Sequence, residues 1–174
     1  IDAMGGTIDF TSRQGEGTTY YITLPFEVDH AAAPQPLPGA PADLSALQGK
    51  HILLAEDNDL NLEIAEFLLQ NAGLRTTAAR NGQEAVTLFA ASAPGTFDAI
   101  LMDVMMPQLD GYEATRAIRA LDRPDAGAIP IFAMTANAFT EDRRRAYESG
   151  MNEHLTKPLE PHTLLRTLAK YLQR

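Results

Sequence analysis

The sequence contains no cysteine. This absence excludes disulfide bonds, thiol chemistry and cysteine-ligated zinc, and it fits a reducing, cytoplasmic setting. The 174 residues also include no apolar run long enough to span a membrane. We therefore expect no direct membrane contact by this chain.

Basic residues are in the minority. The chain has 14 lysines and arginines against 23 aspartates and glutamates, which gives a formal net charge of -9. Proteins that bind nucleic acid need a positive surface to displace counterions from the phosphates, so we expect no nucleic-acid partner. An anionic chain can still bind phosphate where a divalent cation mediates. Hydrophobic residues make up 45% of the chain, enough for a packed core.

The chain divides into three segments by composition and pattern. Residues 1–27 contain two alternating stretches, 7–10 and 19–24, on either side of a glycine-bearing turn, which predicts a β-hairpin. An isolated hairpin is marginal in water, so this one should belong to a larger sheet. Residues 28–49 carry repeated prolines and predict a semi-stiff linker, so a domain boundary is expected there.

Residues 50–174 alternate strand and helix patterns. Apolar runs predict strands at 51–55, 74–79, 97–102, 129–134 and 153–156. Helices are predicted between the first two strands and at 83–91, 113–121, 140–149 and 161–172. The apolar side of the first helix is predicted to carry Leu60, Ile64, Phe67, Leu68 and Leu69. This alternation indicates the α/β class, with a parallel sheet covered by helices on both faces.

Ionisable and hydroxyl side chains stand where four of the predicted strands end. Glu56 and Asp57 follow the first strand, Asp103 the third, Thr135 the fourth and Lys157 the fifth. Parallel sheets place their sites beyond the carboxyl ends of the strands, so these side chains should converge. Crowded carboxylates repel one another, and an oxygen-ligated Mg²⁺ would relieve that repulsion. One aspartate could then accept a phosphoryl group whose oxygens bind the lysine and the threonine.

Each of these residues also has an ordinary structural explanation. Asp57 or Asn58 could cap the following helix, Lys157 could belong to a plain turn, and the Thr135 hydroxyl could bond to nearby backbone. Their occurrence together at the strand ends indicates a functional site more strongly than any one of them alone. A metal-dependent phosphatase of similar topology is disfavoured, because such enzymes usually carry a second acid where this chain has Met105.

Residues 50–174 resemble the receiver domain of two-component signalling. The resemblance rests on LAEDN at 54–58, LMDVMMP at 101–107 with Asp110-Gly111, MTANA at 134–138 and LTKPL at 155–159. It implies a flavodoxin-like, doubly wound sheet of five parallel strands in the order 2-1-3-4-5, with five helices.

The resemblance also implies a role for each site residue. Asp103 would be the phosphoacceptor, and Thr135 and Lys157 would bind the phosphoryl oxygens. The implied cofactor is Mg²⁺, held by Asp57, Asp103 and the backbone carbonyl of Met105, with Glu56 acting through a metal-bound water. The implied partner is a phosphohistidine-bearing kinase helix bundle or histidine phosphotransfer domain. Its expected docking residues are Asn58, Leu60, Asn61, Ile64 and Pro158, although Leu60 or Ile64 could equally belong to the core.

Residues 1–27 resemble the last strands of a histidine-kinase ATP-binding domain, through MGGTI at 4–8 and GEGTTY at 15–20. The order of hairpin, linker and receiver is that of a hybrid sensor histidine kinase, which can be membrane-anchored elsewhere. The rest of the ATP site and a phosphoaccepting histidine helix are absent here, so we expect no ATP-dependent activity from this chain. We expect the receiver only to assist phosphorylation and dephosphorylation of its own aspartate.

A second interpretation remains open. The chain could be a receiver-like interaction module that binds partners without phosphorylation. The intact set of Asp57, Asp103, Thr135 and Lys157 argues against that interpretation.

His154 stands three residues before Lys157, where the receiver family usually has a rotating aromatic residue that acts as a switch with Thr135. We hypothesise that the switch is weak or altered here. Replacing His154 with tyrosine should therefore change NMR shifts around the fourth predicted helix, with and without the phosphoryl mimic beryllofluoride. Identical shifts in both proteins under both conditions would contradict the hypothesis.

Overall fold

The computed structural model describes residues 1, 5–13, 15, 17–25, 44–136 and 140–173. Several sequence predictions lie outside this described part: the linker up to residue 43, Met4 and Glu16 of the hairpin resemblance, and Asn137 and Ala138 of the threonine segment. The chain forms two separate units, a hairpin and an α/β unit.

The hairpin consists of β1 (Thr7–Arg13) and β2 (Gly17–Thr23), which pair antiparallel as predicted. Ile8 pairs with Ile22 and Phe10 pairs with Tyr20, so these four apolar side chains share one face. All four side chains are more than half exposed.

The α/β unit is built on five parallel strands. They are β3 (His51–Ala55), β4 (Arg75–Ala79), β5 (Ala99–Asp103), β6 (Ile131–Thr135) and β7 (Glu153–Thr156). Their order across the sheet is β4-β3-β5-β6-β7, which confirms the predicted order 2-1-3-4-5. The three central strands β3, β5 and β6 are buried almost throughout, as expected for a sheet covered on both faces.

Five helices cover the sheet: α1 (Asp59–Asn71), α2 (Gly82–Ala91), α3 (Gly111–Arg119), α4 (Thr140–Ser149) and α5 (Pro161–Leu172). Successive residues of β3 point to opposite faces, so Leu53 belongs to one apolar core and Leu54 to the other. The Leu53 core includes residues of α2, α3 and α4, whereas the Leu54 core includes residues of α1 and α5. In the described part of the chain, no helix is long and apolar enough to cross a membrane.

The prediction for the apolar side of α1 is partly wrong. Leu60, Ile64 and Phe67 are 65%, 46% and 62% exposed. The buried positions are Leu62, Ala65 and Leu69. The helix therefore has two apolar stripes, and only one of them faces the sheet.

The end of the predicted linker packs against the α/β unit. Residues Leu44–Leu47 form a short 3-10 helix, and Leu47 is fully buried in the same core as α1 and α5. The Gly49 amide donates a 2.8 Å hydrogen bond to the Gly73 carbonyl after α1. This segment therefore packs at the end of the sheet where the strands begin. The predicted site residues lie at the other end, where the strands finish.

Candidate functional site

Three acidic side chains meet where β3 and β5 end. Glu56 and Asp57 directly follow β3, and Asp103 is the last residue of β5. One carboxylate oxygen from each lies within 4.8 Å of the others. Glu56 and Asp103 are buried, whereas Asp57 is exposed. Three carboxylates without histidine or cysteine suit a hard cation such as Mg²⁺, so the donor set fits the predicted metal.

Lys157 lies between two of these carboxylates. Its Nζ atom is 2.5 Å from Oε2 of Glu56 and 2.7 Å from Oδ2 of Asp103. The Lys157 backbone amide donates a 2.8 Å hydrogen bond to the Thr135 carbonyl at the end of β6. The peptide bond from Lys157 to Pro158 is cis. Residues at the end of β5 and just after the ends of β3 and β7 therefore meet at one point.

The surroundings raise the pKa values of both Asp103 and Lys157. Burial raises the pKa of Asp103, and this effect together with the Glu56 charge outweighs the lowering by the Lys157 hydrogen bond. Burial alone would lower the pKa of Lys157, but its bonds to Asp103 and Glu56 outweigh burial and raise it. Lys157 thus stays charged at neutral pH. Burial and the Glu56 charge disfavour the ionised form of Asp103, and a bound cation would offset that cost.

A glycine allows the third helix to approach Asp103. A Cβ atom on Gly111 would lie 2.2 Å from the Asp103 carbonyl oxygen. The Gly111 amide donates a 3.0 Å hydrogen bond to the Val104 carbonyl, and the Asp110 side chain caps α3 by accepting from the Glu113 amide. The Asp110-Gly111 pair of the sequence therefore brings the start of α3 against the end of β5.

The remaining predicted site residues lie around this centre. The Met105 amide donates a 3.2 Å hydrogen bond to Oδ1 of Asp103, while its side chain is 77% exposed. Thr135 is buried at the end of β6, on the strand that pairs with β5. His154 lies on β7, and its Nδ1 atom has no hydrogen-bond partner within the described part of the chain.

Three of the five predicted docking residues line a small surface pocket next to the carboxylates. Asn61, Ile64 and Pro158 line it together with Leu159, Glu56 and Lys157. Leu60 is exposed on the same helix, so neither Leu60 nor Ile64 belongs to the core. Asn58 is the cap of α1, and its side chain accepts hydrogen bonds from the amides of Leu60 and Asn61. The capping explanation therefore applies to Asn58 rather than to Asp57.

Sequence reasoning missed one contact inside the site. The Nδ2 atom of Asn61 donates a 3.0 Å hydrogen bond to Oε1 of Glu56. The sequence assigns Asn61 only to partner docking. The available signal was its spacing, since a residue in the first turn of a helix that starts after Glu56 can reach back to that carboxylate.

Comparisons with known proteins agree with this geometry. The response regulator receiver domain family matches residues 52–169. The sensor protein GacS of Pseudomonas syringae is 37% identical over 121 residues, which is 69% of this chain but 13% of GacS. Hybrid signal transduction histidine kinase I of Dictyostelium discoideum is 38% identical over 128 residues, 70% of this chain and 7% of that protein. The chain thus spans only a small part of these curated relatives.

Two solved structures are informative. The receiver domain of sensor histidine kinase PA1611 from Pseudomonas aeruginosa, which has a magnesium ion in its active site cleft, is 40% identical with a TM-score of 0.66. That match covers 72% of this chain and 99% of the other. The Ssk1 receiver domain of Saccharomyces cerevisiae, in complex with the phosphotransfer protein Ypd1, is 30% identical with a TM-score of 0.63, covering 71% and 89%. The chain belongs to the response regulator receiver family of two-component phosphorelays.

Proposed function

We propose that Asp103 accepts a phosphoryl group from a phosphohistidine, with Mg²⁺ held by Asp57, Asp103 and the Met105 carbonyl and supported by Glu56. The observation that carries the proposal is the contact of Lys157 Nζ with Asp103 at 2.7 Å, inside a group of three carboxylates. A nucleophilic carboxylate, a charged lysine and a cation-binding set are the parts that phosphoryl transfer requires.

The reaction transfers the phosphoryl group from nitrogen to oxygen. A carboxylate oxygen of Asp103 forms the new O–P bond, while the N–P bond breaks and its electron pair stays on the donor imidazole. Mg²⁺ supplies charge neutralisation for the phosphoryl oxygens. Lys157, charged because its carboxylate partners raise its pKa, turns toward one of those oxygens, and the Thr135 hydroxyl donates to another.

Mg²⁺ should stabilise the folded protein. A ligand that binds only the folded state at about 100 times its Kd adds about 2.7 kcal/mol to the free energy of unfolding. The thermal midpoint of wild type should rise with MgCl₂, and the Asp57→Ala variant should lose that rise. The matched Asp122→Ala variant, changed in an exposed loop, should keep it. An equal rise in all three proteins would count against this metal site.

Asp103 should be the residue that gains the phosphoryl group. The protein would be incubated with acetyl phosphate and Mg²⁺, and its intact mass would be followed. Wild type and Asp122→Asn should gain one phosphoryl mass, and Asp103→Asn should not. Omitting Mg²⁺ should abolish the gain. No gain in a folded sample that binds Mg²⁺ would reject the proposal in favour of an interaction module that works without phosphorylation.

We also propose that the exposed stripe of α1, defined as Leu60, Ile64 and Phe67, docks the helix bundle that carries the phosphohistidine. These residues are spaced by four and three positions, so they form one apolar row on the helix. The row runs beside the pocket lined by Asn61, Ile64 and Pro158, which opens next to Lys157. Exposed apolar rows of this kind mark helix-in-groove and helix-on-helix contacts.

Shortening Ile64 to alanine should slow phosphoryl transfer from a histidine phosphotransfer protein by about tenfold, because a central apolar contact is worth more than about 1 kcal/mol. The rate would be measured with a radiolabelled donor and divided by the rate with acetyl phosphate, which needs no docking. Tyr147→Ala, changed at a half-exposed aromatic on α4, should leave this ratio near wild type. Equal ratios in Ile64→Ala and wild type would place the donor elsewhere.

We further propose that the chain is part of a cytoplasmic region of a hybrid sensor histidine kinase, with residues 1–27 ending its ATP-binding domain. The curated relatives named above support the hybrid-kinase part of this proposal, since each carries the matching segment as a small part of a much longer protein, one named a hybrid signal transduction histidine kinase and the other a sensor protein. The coding sequence upstream of residue 1 provides the test. A preceding sequence without histidine-kinase ATP-binding motifs would contradict the proposal.

A further inference from the structure

The carboxylate of Glu56 is held from two opposite sides. Its Oε2 atom is 2.5 Å from Lys157 Nζ, and its Oε1 atom accepts the 3.0 Å hydrogen bond from Asn61 Nδ2. Glu56 is 2% exposed, so water contributes little to its solvation. A buried carboxylate needs a donor at each oxygen, and here one donor is charged and the other is neutral.

The two donors have different consequences for a cation site. Lys157 brings a positive charge that opposes a divalent cation at the same carboxylate. The Asn61 amide is neutral, so it can hold the carboxylate in place without that opposition. A glutamate carboxylate needs a fixing hydrogen bond more than an aspartate carboxylate does, because its side chain has one more torsion and its terminal torsion is broad.

Asn61 is itself presented from a rigid position. It lies in the first turn of α1, and its backbone amide donates a 3.1 Å hydrogen bond to Oδ1 of the cap residue Asn58. The side-chain amide therefore reaches Glu56 from a helix start that is already fixed.

We propose that Asn61 is a positioning residue for the Mg²⁺ site. It holds the Glu56 carboxylate open toward Asp57 and Asp103 and keeps both of its oxygens from turning onto Lys157. This inference rests on the proposed function, and it gives Asn61 a role that is independent of any docking partner.

The test is a double-mutant cycle on Mg²⁺ affinity, measured by NMR titration without a phosphodonor or partner. Asn61→Ala in the wild-type background should weaken Mg²⁺ binding by about tenfold, the lower range for residues that orient metal-binding groups. In the Glu56→Gln background the same change should have an effect of less than about twofold, because the charge that Asn61 positions is gone. Asn71→Ala, the same substitution at the end of α1, serves as the matched control and should match wild type.

A second measurement needs no Asn61 variant. The side-chain NH₂ signals of Asn61 should shift on Glu56→Gln, because a charge-assisted hydrogen bond becomes a neutral one, and those of Asn71 should not. An equal loss of Mg²⁺ affinity in both backgrounds, no loss in the wild-type background, or unmoved Asn61 signals would each overturn the inference.

The outcome is separable from that of the proposed function. Failure of wild type to bind Mg²⁺, or to gain a phosphoryl group at Asp103, would reject the proposed function and remove the basis of the inference. Normal Mg²⁺ binding and phosphorylation in wild type, with the same Mg²⁺ affinity in Asn61→Ala, would reject the positioning role alone.

Discussion

Crowding of negative charge at one edge of the sheet is the constraint on which the site depends. Glu56, Asp57 and Asp103 place carboxylate oxygens within 4.8 Å of one another, and two of the three side chains are buried. The Lys157 ammonium, at 2.5 Å and 2.7 Å from Glu56 and Asp103, offsets part of that repulsion. The remaining negative charge favours a divalent cation. The same unfavourable charge that costs stability therefore provides an attraction for a cation.

The topology of the sheet produces this crowding. The order β4-β3-β5-β6-β7 places β3 next to β5, so residues distant in the chain end at the same edge. The hydrogen bond from the Lys157 amide to the Thr135 carbonyl continues the pairing of β6 with β7, so the lysine lies at that edge. Gly111 lets α3 start directly against the backbone of Asp103.

Helix α1 has three groups of residues with different contacts. One stripe, containing Leu62, Ala65 and Leu69, fills the core. A second stripe stays exposed next to the pocket beside Lys157 and forms the docking row that we propose for a partner. The first turn supplies Asn61, whose amide contacts Glu56 at the site itself. One helix therefore combines core packing with the contact to Glu56 and the proposed docking row.

The sequence by itself determined the five-stranded parallel sheet and the convergence of Asp103, Glu56 and Lys157, because strand alternation and residues at strand ends are local features that topology rules convert into positions. The strand order was implied by the resemblance to receiver domains. Only the tertiary structure decided which apolar residues of α1 face the core. The 3.6-residue period allows Leu60 and Leu62 to lie on different faces, and packing against the sheet selects between them. It also decided that Leu47 is buried and that Asn61 contacts Glu56. The spacing in the sequence permits the second contact, but only the distance between the two side chains establishes it.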